Sequence, residues 1–168
     1  VCNFENGDRG KNYPGRKALV PTGIPFINAG HIADGVIDWR GMDFIPEDRF
    51  HLLGSGKIQL GDILYCLRGS LGKFGVVDRE TEGAIASSLV IIRPSESLDV
   101  SFLAYYFRSP LADEMVDCFA GGAAQPNLSA KSLGQYKLPL PPLEEQQRIV
   151  AILDKTEDVV QATLDNRQ

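Results

Sequence analysis

The hydrophobic pattern of this chain changes its period at Pro94, and that change limits the fold more than any other feature. Up to Arg93 the apolar residues come in short runs cut by Gly, Asn, Asp and Pro. Beyond Pro94 they recur at three- and four-residue spacing. Runs broken by turn residues read as strands, and the second spacing reads as one face of a helix. Strands gathered before helices point to a mixed α/β (α+β) chain: a curved, mostly antiparallel sheet over about residues 20–95, packed helices, then a long C-terminal helix.

The strand half begins with a loop, Asn3 to Pro21, too rich in Gly, Asn, Asp and Pro for a regular element. Strands follow at Ile24–Asn28, Gly35–Asp38, Ile63–Leu67, Phe74–Asp78 and, longest of all, Ala84–Arg93, with a proline-opened helical turn at Pro46–Phe50. Arg68-Gly69-Ser70-Leu71-Gly72-Lys73 is the glycine-bracketed tip of a hairpin. In the helical half, Asp99 caps a helix carrying Phe102, Leu103, Tyr106 and Phe107 on one face. Ser109-Pro110 restarts a second helix with Leu111, Met115, Val116 and Phe119, so the pair spans about 99–120. A glycine-rich loop, Ala120–Asn127, precedes a short turn capped by Ser129, and Gln135–Leu140 reads as a last strand. Pro139, Pro141 and Pro142 stop it, and Leu143 opens the best helix in the chain, with Glu144 and Glu145 in its first turn. The 168 residues suffice for one compact domain plus this appendage without a disulfide or metal staple.

Composition excludes several classes. Hydrophobic residues make up 43% and charged residues 23%, which is globular rather than disordered or fibrous. No apolar run approaches the roughly 18 residues of a membrane span, and no leader pattern is expected at the start. Cys2, Cys66 and Cys118 are widely spaced with no CxxC, so they read as buried or half-buried free thiols of a reducing cytoplasm. Net charge is −5, of which residues 143–168 carry −3, leaving −2 on residues 1–142. Such a near-neutral part can still present one basic face.

No catalytic set is legible. Phosphate-cradling GxxxxGK[ST], GxGxxG and GxSxG patterns are missing, as is the Asn-Pro-Pro-aromatic tetrapeptide of cofactor-dependent methyltransferases. The two histidines, His31 and His51, lie too far apart for a local relay. Asp78, Glu80 and Glu82 read as a solvated turn rather than a metal site. The expectation is a non-enzyme with no cofactor and no metal. The basic side chains Arg9, Lys11, Arg16 and Lys17, interleaved with glycine and Tyr13, read either as a loop reaching for phosphates and base edges or as a solvated surface loop.

Two blocks carry a family resemblance. Gly122-Ala123-Ala124-Gln125-Pro126-Asn127-Leu128-Ser129 is followed by Tyr136-Lys137-Leu138-Pro139-Leu140-Pro141-Pro142-Leu143-Glu144-Glu145-Gln146-Gln147-Arg148-Ile149-Val150-Ala151-Ile152-Leu153-Asp154. Together they resemble the type I restriction–modification specificity subunit, specifically one target recognition domain running into the start of a spacer helix. The upstream blocks Gly23–Asn28 and Gly61–Leu64 fit the same family. The resemblance implies a non-catalytic reader of double-stranded DNA over residues 1–142, with a spacer helix from 143 to 168 for coiled-coil pairing and docking. In the family, two such domains commonly each read half of a split target, while the helices space them and dock methyltransferase subunits; translocating nuclease subunits complete the complex.

The DNA-binding set expected on this basis is Arg9, Lys11, Tyr13, Arg16, Lys17, Asn28, His31, Arg68, Ser70, Lys73, Gln125 and Asn127. Arginine and lysine suit guanine edges and phosphates; asparagine and glutamine suit adenine edges. The Gln125-Pro126-Asn127 amides read equally as hydrogen bonds tying the loop to a neighbouring sheet. The partner stripe is Ile149, Ile152, Leu153, Val160 and Leu164, interrupted at Thr156 and Glu157, which favours antiparallel pairing with another such helix or a homodimer. The alternative reading is a protein–protein module using that helix; a nuclease is a third. A membrane partner is not expected.

Overall fold

A computed structural model describes residues 1–121 and 127–165. The strands are β1 (Cys2–Asn6), β2 (Ile24–Ile27), β3 (Ile32–Ala33), β4 (Val36–Ile37), β5 (Asp43–Ile45), β6 (Ile63–Cys66), β7 (Phe74–Val76), β8 (Ala84–Ile85) and β9 (Leu89–Pro94). The helices are α1 (Glu47–Leu52), α2 (Val100–Phe107), α3 (Pro110–Phe119), α4 (Ala130–Leu133) and α5 (Leu143–Asp165). The main sheet, β1-β9-β6-β7, is antiparallel throughout. A smaller sheet, β5-β2-β8, pairs β2 with β5 antiparallel and with β8 parallel, and β3-β4 is a separate hairpin.

The unbroken apolar run Leu89-Val90-Ile91-Ile92 is explained by what covers it. Successive strand residues face opposite sides. Val90 and Ile92, with Ile63 and Tyr65 of β6, meet Phe102, Leu103 and Tyr106 of α2. Leu89 and Ile91, with Leu64 and Cys66, meet Ile27, Ile32, Ile37 and Ile85 from the smaller sheets. All four run residues are 1% exposed or less. A strand buried on both faces gains roughly 1.5–3 kcal/mol per aliphatic side chain, and it needs no polar alternation. A third cluster joins Phe26, Ile45, Phe50, Leu53, Ala84 and Ala86 beneath Tyr13 and Leu19.

The helix signals act as their chemistry dictates. Asp99 accepts the Phe102 N–H at 2.9 Å, Ser129 Oγ accepts the Ser132 N–H at 3.0 Å, and Pro110 opens α3. α5 is attached through Gln146, which is fully buried. Its Oε1 accepts the Asp99 N–H at 2.9 Å, and its Nε2 donates to the carbonyls of Ser97 and Pro141 at 3.0 and 2.8 Å. Ile149 and Val150 pack on the core, and Tyr105 donates to Asp154 at 2.7 Å. Beyond this the helix stands exposed, with Val159, Val160 and Leu164 at 66%, 53% and 52%.

The structure corrects four readings of the sequence. Cys2–Asn6 is strand β1, not loop: Cys2 and Phe4 face the side of Ile92 and Leu133, Asn3 and Glu5 the other, and β9 offers the edge on which this short segment pairs. Ala84–Arg93 is two strands, since a turn at Ala86–Ser88 passes the chain from the small sheet to the main one. Gln135–Leu140 is not a strand; Tyr136 N–H closes the α4 turn on the Leu133 carbonyl, and Tyr136 and Leu138 pack into the core. Finally, Cys118 is exposed rather than buried.

Candidate nucleic-acid interface

Four loops meet at one end of the main sheet, around Ser87 and Ser88. Leu67, at the end of β6, donates its N–H to the Ser88 carbonyl, and its own carbonyl accepts the Leu128 N–H, both at 2.9 Å. The backbone of Arg68 pairs with that of Asn127, which also exchanges two hydrogen bonds with Gly121 at 2.8 and 3.0 Å. Arg9 donates to the Ser87 carbonyl at 3.2 Å, and the Tyr13 hydroxyl accepts the Ser87 N–H at 3.4 Å. The loop of residues 7–18, the 68–73 hairpin, the 86–88 turn and the paired residues Gly121 and Asn127 are thus stitched together.

The first of these loops is held rather than free. The Asp8 carboxylate accepts the N–H groups of Gly10 and Gly54 at 2.6 and 2.8 Å, which hold its pKa below the ordinary aspartate value. Asn12 donates to the Leu52 carbonyl, and the Tyr13 ring meets Phe26 edge-on with centroids 5.9 Å apart. A Cβ at Gly7 would lie 2.8 Å from the carbonyl oxygens of Ile85 and Ala86, so only glycine permits this approach. The hairpin tip turns through Gly69 and Gly72, at φ +79° and +82°, the left-handed region a side chain disfavours.

Arg9, Lys11, Arg16, Lys17, Arg68 and Lys73 all project from these loops as exposed side chains. Among the described residues none of the six has an acidic partner within 4.0 Å; Arg49, Lys57, Lys131, Lys137 and Lys155 elsewhere have none either, so what sets the six apart is that they share the joined loops. Six exposed cations gathered on these joined loops make this end basic on an otherwise acidic chain. No group of three or more His, Cys, Asp or Glu side chains is placed to hold a metal among the described residues. Burial pushes the Cys66 thiol up to about 11, away from thiolate chemistry.

A family model described as the type I restriction modification DNA specificity domain matches residues 1–167. The chain belongs to this family. The specificity subunit of type I restriction enzyme MjaVIII from Methanocaldococcus jannaschii is 28% identical over 145 residues, 83% of this chain and 34% of the relative. That of EcoKI from Escherichia coli (strain K12) is 27% identical over 137 residues, 78% of this chain and 29% of the relative. This specificity-domain chain therefore spans about a third of the length of those curated relatives. A solved chain from work on complex assembly and conformational transition of the type I R-M system aligns at TM-score 0.74 and 26% identity, over 97% of this chain and 37% of that one. The HsdS subunit from Thermoanaerobacter tengcongensis shares the fold, at TM-score 0.67 and 24% identity, over 100% of this chain and 38% of that one.

Within this specificity domain the sequence-derived residues separate into three groups. Arg9, Lys11, Arg16, Lys17, Arg68, Ser70, Lys73 and Asn127 lie on the stitched loops with exposed side chains. Tyr13, Asn28 and His31 are half-buried and serve the fold: Asn28 accepts the Gly30 N–H at 2.7 Å and donates to Asp43 at 2.8 Å, while His31 Nδ1 accepts the Asn28 N–H at 3.1 Å. Gln125 lies outside the described residues. The Asn127 backbone performs the sheet-tying role, and its side chain is exposed.

The helix stripe is split: Ile149 and Leu153 line a groove with Phe102, Tyr105 and Leu138, while Ile152, Val160 and Leu164 are exposed. Sequence reasoning missed Gln146 and Asp43, because nothing local marks the first as buried or the second as the partner of Asn28.

Among the described residues no helix is long and apolar enough to cross a membrane.

Proposed function

We propose that this chain reads a sequence in double-stranded DNA as the specificity component, or one recognition domain of it, in a type I restriction–modification complex. Residues 1–142 form the recognition unit, and the helix from 143 is the start of a spacer. The stitched loops dock on the duplex, with cations on phosphates and guanine edges and amides on adenine edges. The chain performs no chemistry; methyltransferase and restriction/translocase subunits of the cytoplasmic complex carry the reactions. The exposed face of α5, with Ile152, Val160 and Leu164, receives an antiparallel spacer helix, from another domain or a second copy.

The observation that carries this reading is the clustering of six exposed cations on loops joined at one end of the sheet. Titration of fluorescent duplexes tests it. Replacing Arg68 and Lys73 by alanine weakens binding, whereas Arg148→Ala on α5 leaves it unchanged. Equal binding by all three proteins contradicts the reading.

A further inference from the structure

Beside the basic loops lies a cleft of about 450 Å³ whose lining includes Tyr13, Arg16, Phe26, Asn28, Asp43 and Ala86. Asp43 is the first residue of β5 and sits in register opposite Phe26 of β2. Its Oδ2 accepts the Asn28 amide at 2.8 Å, which fixes the carboxylate's orientation. Among the described residues its Oδ1 takes no hydrogen bond, and no cation pairs with it within 4.0 Å. The cleft is continuous with the basic surface, because Arg16 forms part of its lining and Ala86 leads into Ser87, to which Arg9 and Tyr13 bind.

A carboxylate on a surface that receives a polyanion is repelled unless a donor reaches it. On the major-groove edge of a duplex the donors are the exocyclic amino groups of cytosine and adenine. The Tyr13–Phe26 pair gives the cleft an apolar wall suited to the flat edge of a base. Resting on the proposed DNA reading, we infer that Asp43 is a specificity-determining residue, whose Oδ1 accepts a hydrogen bond from the amino group of a cytosine or adenine in the target. Asn28 is its positioning residue.

Selection from a randomised duplex pool with the wild-type chain first yields the preferred sequence. Single cytosines and adenines in it are then replaced by analogues lacking the exocyclic amino group. The wild type is expected to lose about tenfold in affinity at one such position, the scale of one good base contact. Asp43→Asn, checked by melting for an intact fold, is expected to show no further loss at that position and to accept other bases there.

If Asp43→Asn loses as much as the wild type on every analogue, or tightens binding to all duplexes with an unchanged selected sequence, Asp43 reads no base and the inference is overturned. Should that variant fail to fold, Asp43→Ser takes its place in the same comparison, and a wild type with no amino-sensitive position overturns the inference whichever variant is used. A wild type that selects no sequence at all refutes the DNA reading itself, and this inference falls with it.

Discussion

Replacing Gln146 by leucine removes the polar contacts that hold α5 to the body of the molecule while keeping much of the side-chain volume. Three hydrogen bonds disappear, leaving the Asp99 N–H and the carbonyls of Ser97 and Pro141 without their partner at a site where the side chain is fully buried. Each bond contributes roughly 1 kcal/mol net, and each group left dry and unpaired costs about 1–3 kcal/mol. Taken at the low end of that range, the three unpaired groups set an expected loss of at least about 3 kcal/mol. In a chain of this size that lowers the melting midpoint by at least about 6 °C. Asp99 also caps α2, so Asp99→Ala and Gln146→Leu share a network, and their effects combine non-additively. Thermal denaturation followed by circular dichroism measures both. A Gln146→Leu variant that melts within about 1 °C of the wild type refutes the reasoning, because the helix would then be held by its apolar contacts alone.

Further expectations follow from the same geometry. Alanine at Arg9, Lys11, Arg16 and Lys17 together weakens duplex binding and reduces the slope of log affinity against log salt by about 3.5, at roughly 0.9 per phosphate contact; an unchanged slope means these side chains meet no phosphate. Ile152→Asp with Val160→Asp abolishes any self-association seen by sedimentation without lowering the melting point, whereas Ile149→Asp is destabilising because Ile149 packs on the core. Equal destabilisation by both variants contradicts the split of the stripe. The lowered pKa of Asp8 means that its hold on the 7–18 loop is complete above the ordinary aspartate value and is lost as pH falls through the lower, folded value. The Gly54 amide resonance should titrate with that low midpoint, and a midpoint at or above the ordinary value rejects the tie.

Features dictated by neighbouring residues were legible in the sequence. Asp99 before Val100, Pro110 after Ser109, Ser129 three residues before Ser132, and the glycines around Ser70 each act within a few residues, and each element formed where they placed it. What escaped depends on distant partners. Cys2–Asn6 becomes a strand only because β9 offers an edge far along the chain, pairing Phe4 with Ile92 and Asn6 with Val90. The run from Ala84 to Arg93 reads as continuous because both of its halves are apolar, yet they belong to different sheets. The prolines that were to end a final strand also limit its hydrogen bonding, and that segment pays no part in any ladder. At the candidate site the cations were visible as residue types, but their lack of acidic partners was not. Asn28 was visible as an amide, but its bonds to Gly30 and Asp43 depend on the fold.

The central claim is that the stitched basic loops read sequence and do not merely attract phosphate. Selection from a randomised duplex pool, followed by competition between the selected duplex and a scrambled one across a salt series, measures this most directly. Sequence reading predicts one enriched motif, a preference for it over the scrambled duplex that persists as salt rises, and loss of that preference when Arg68 and Lys73 become alanine. Equal affinity for selected and scrambled duplexes, falling together with salt, would contradict it.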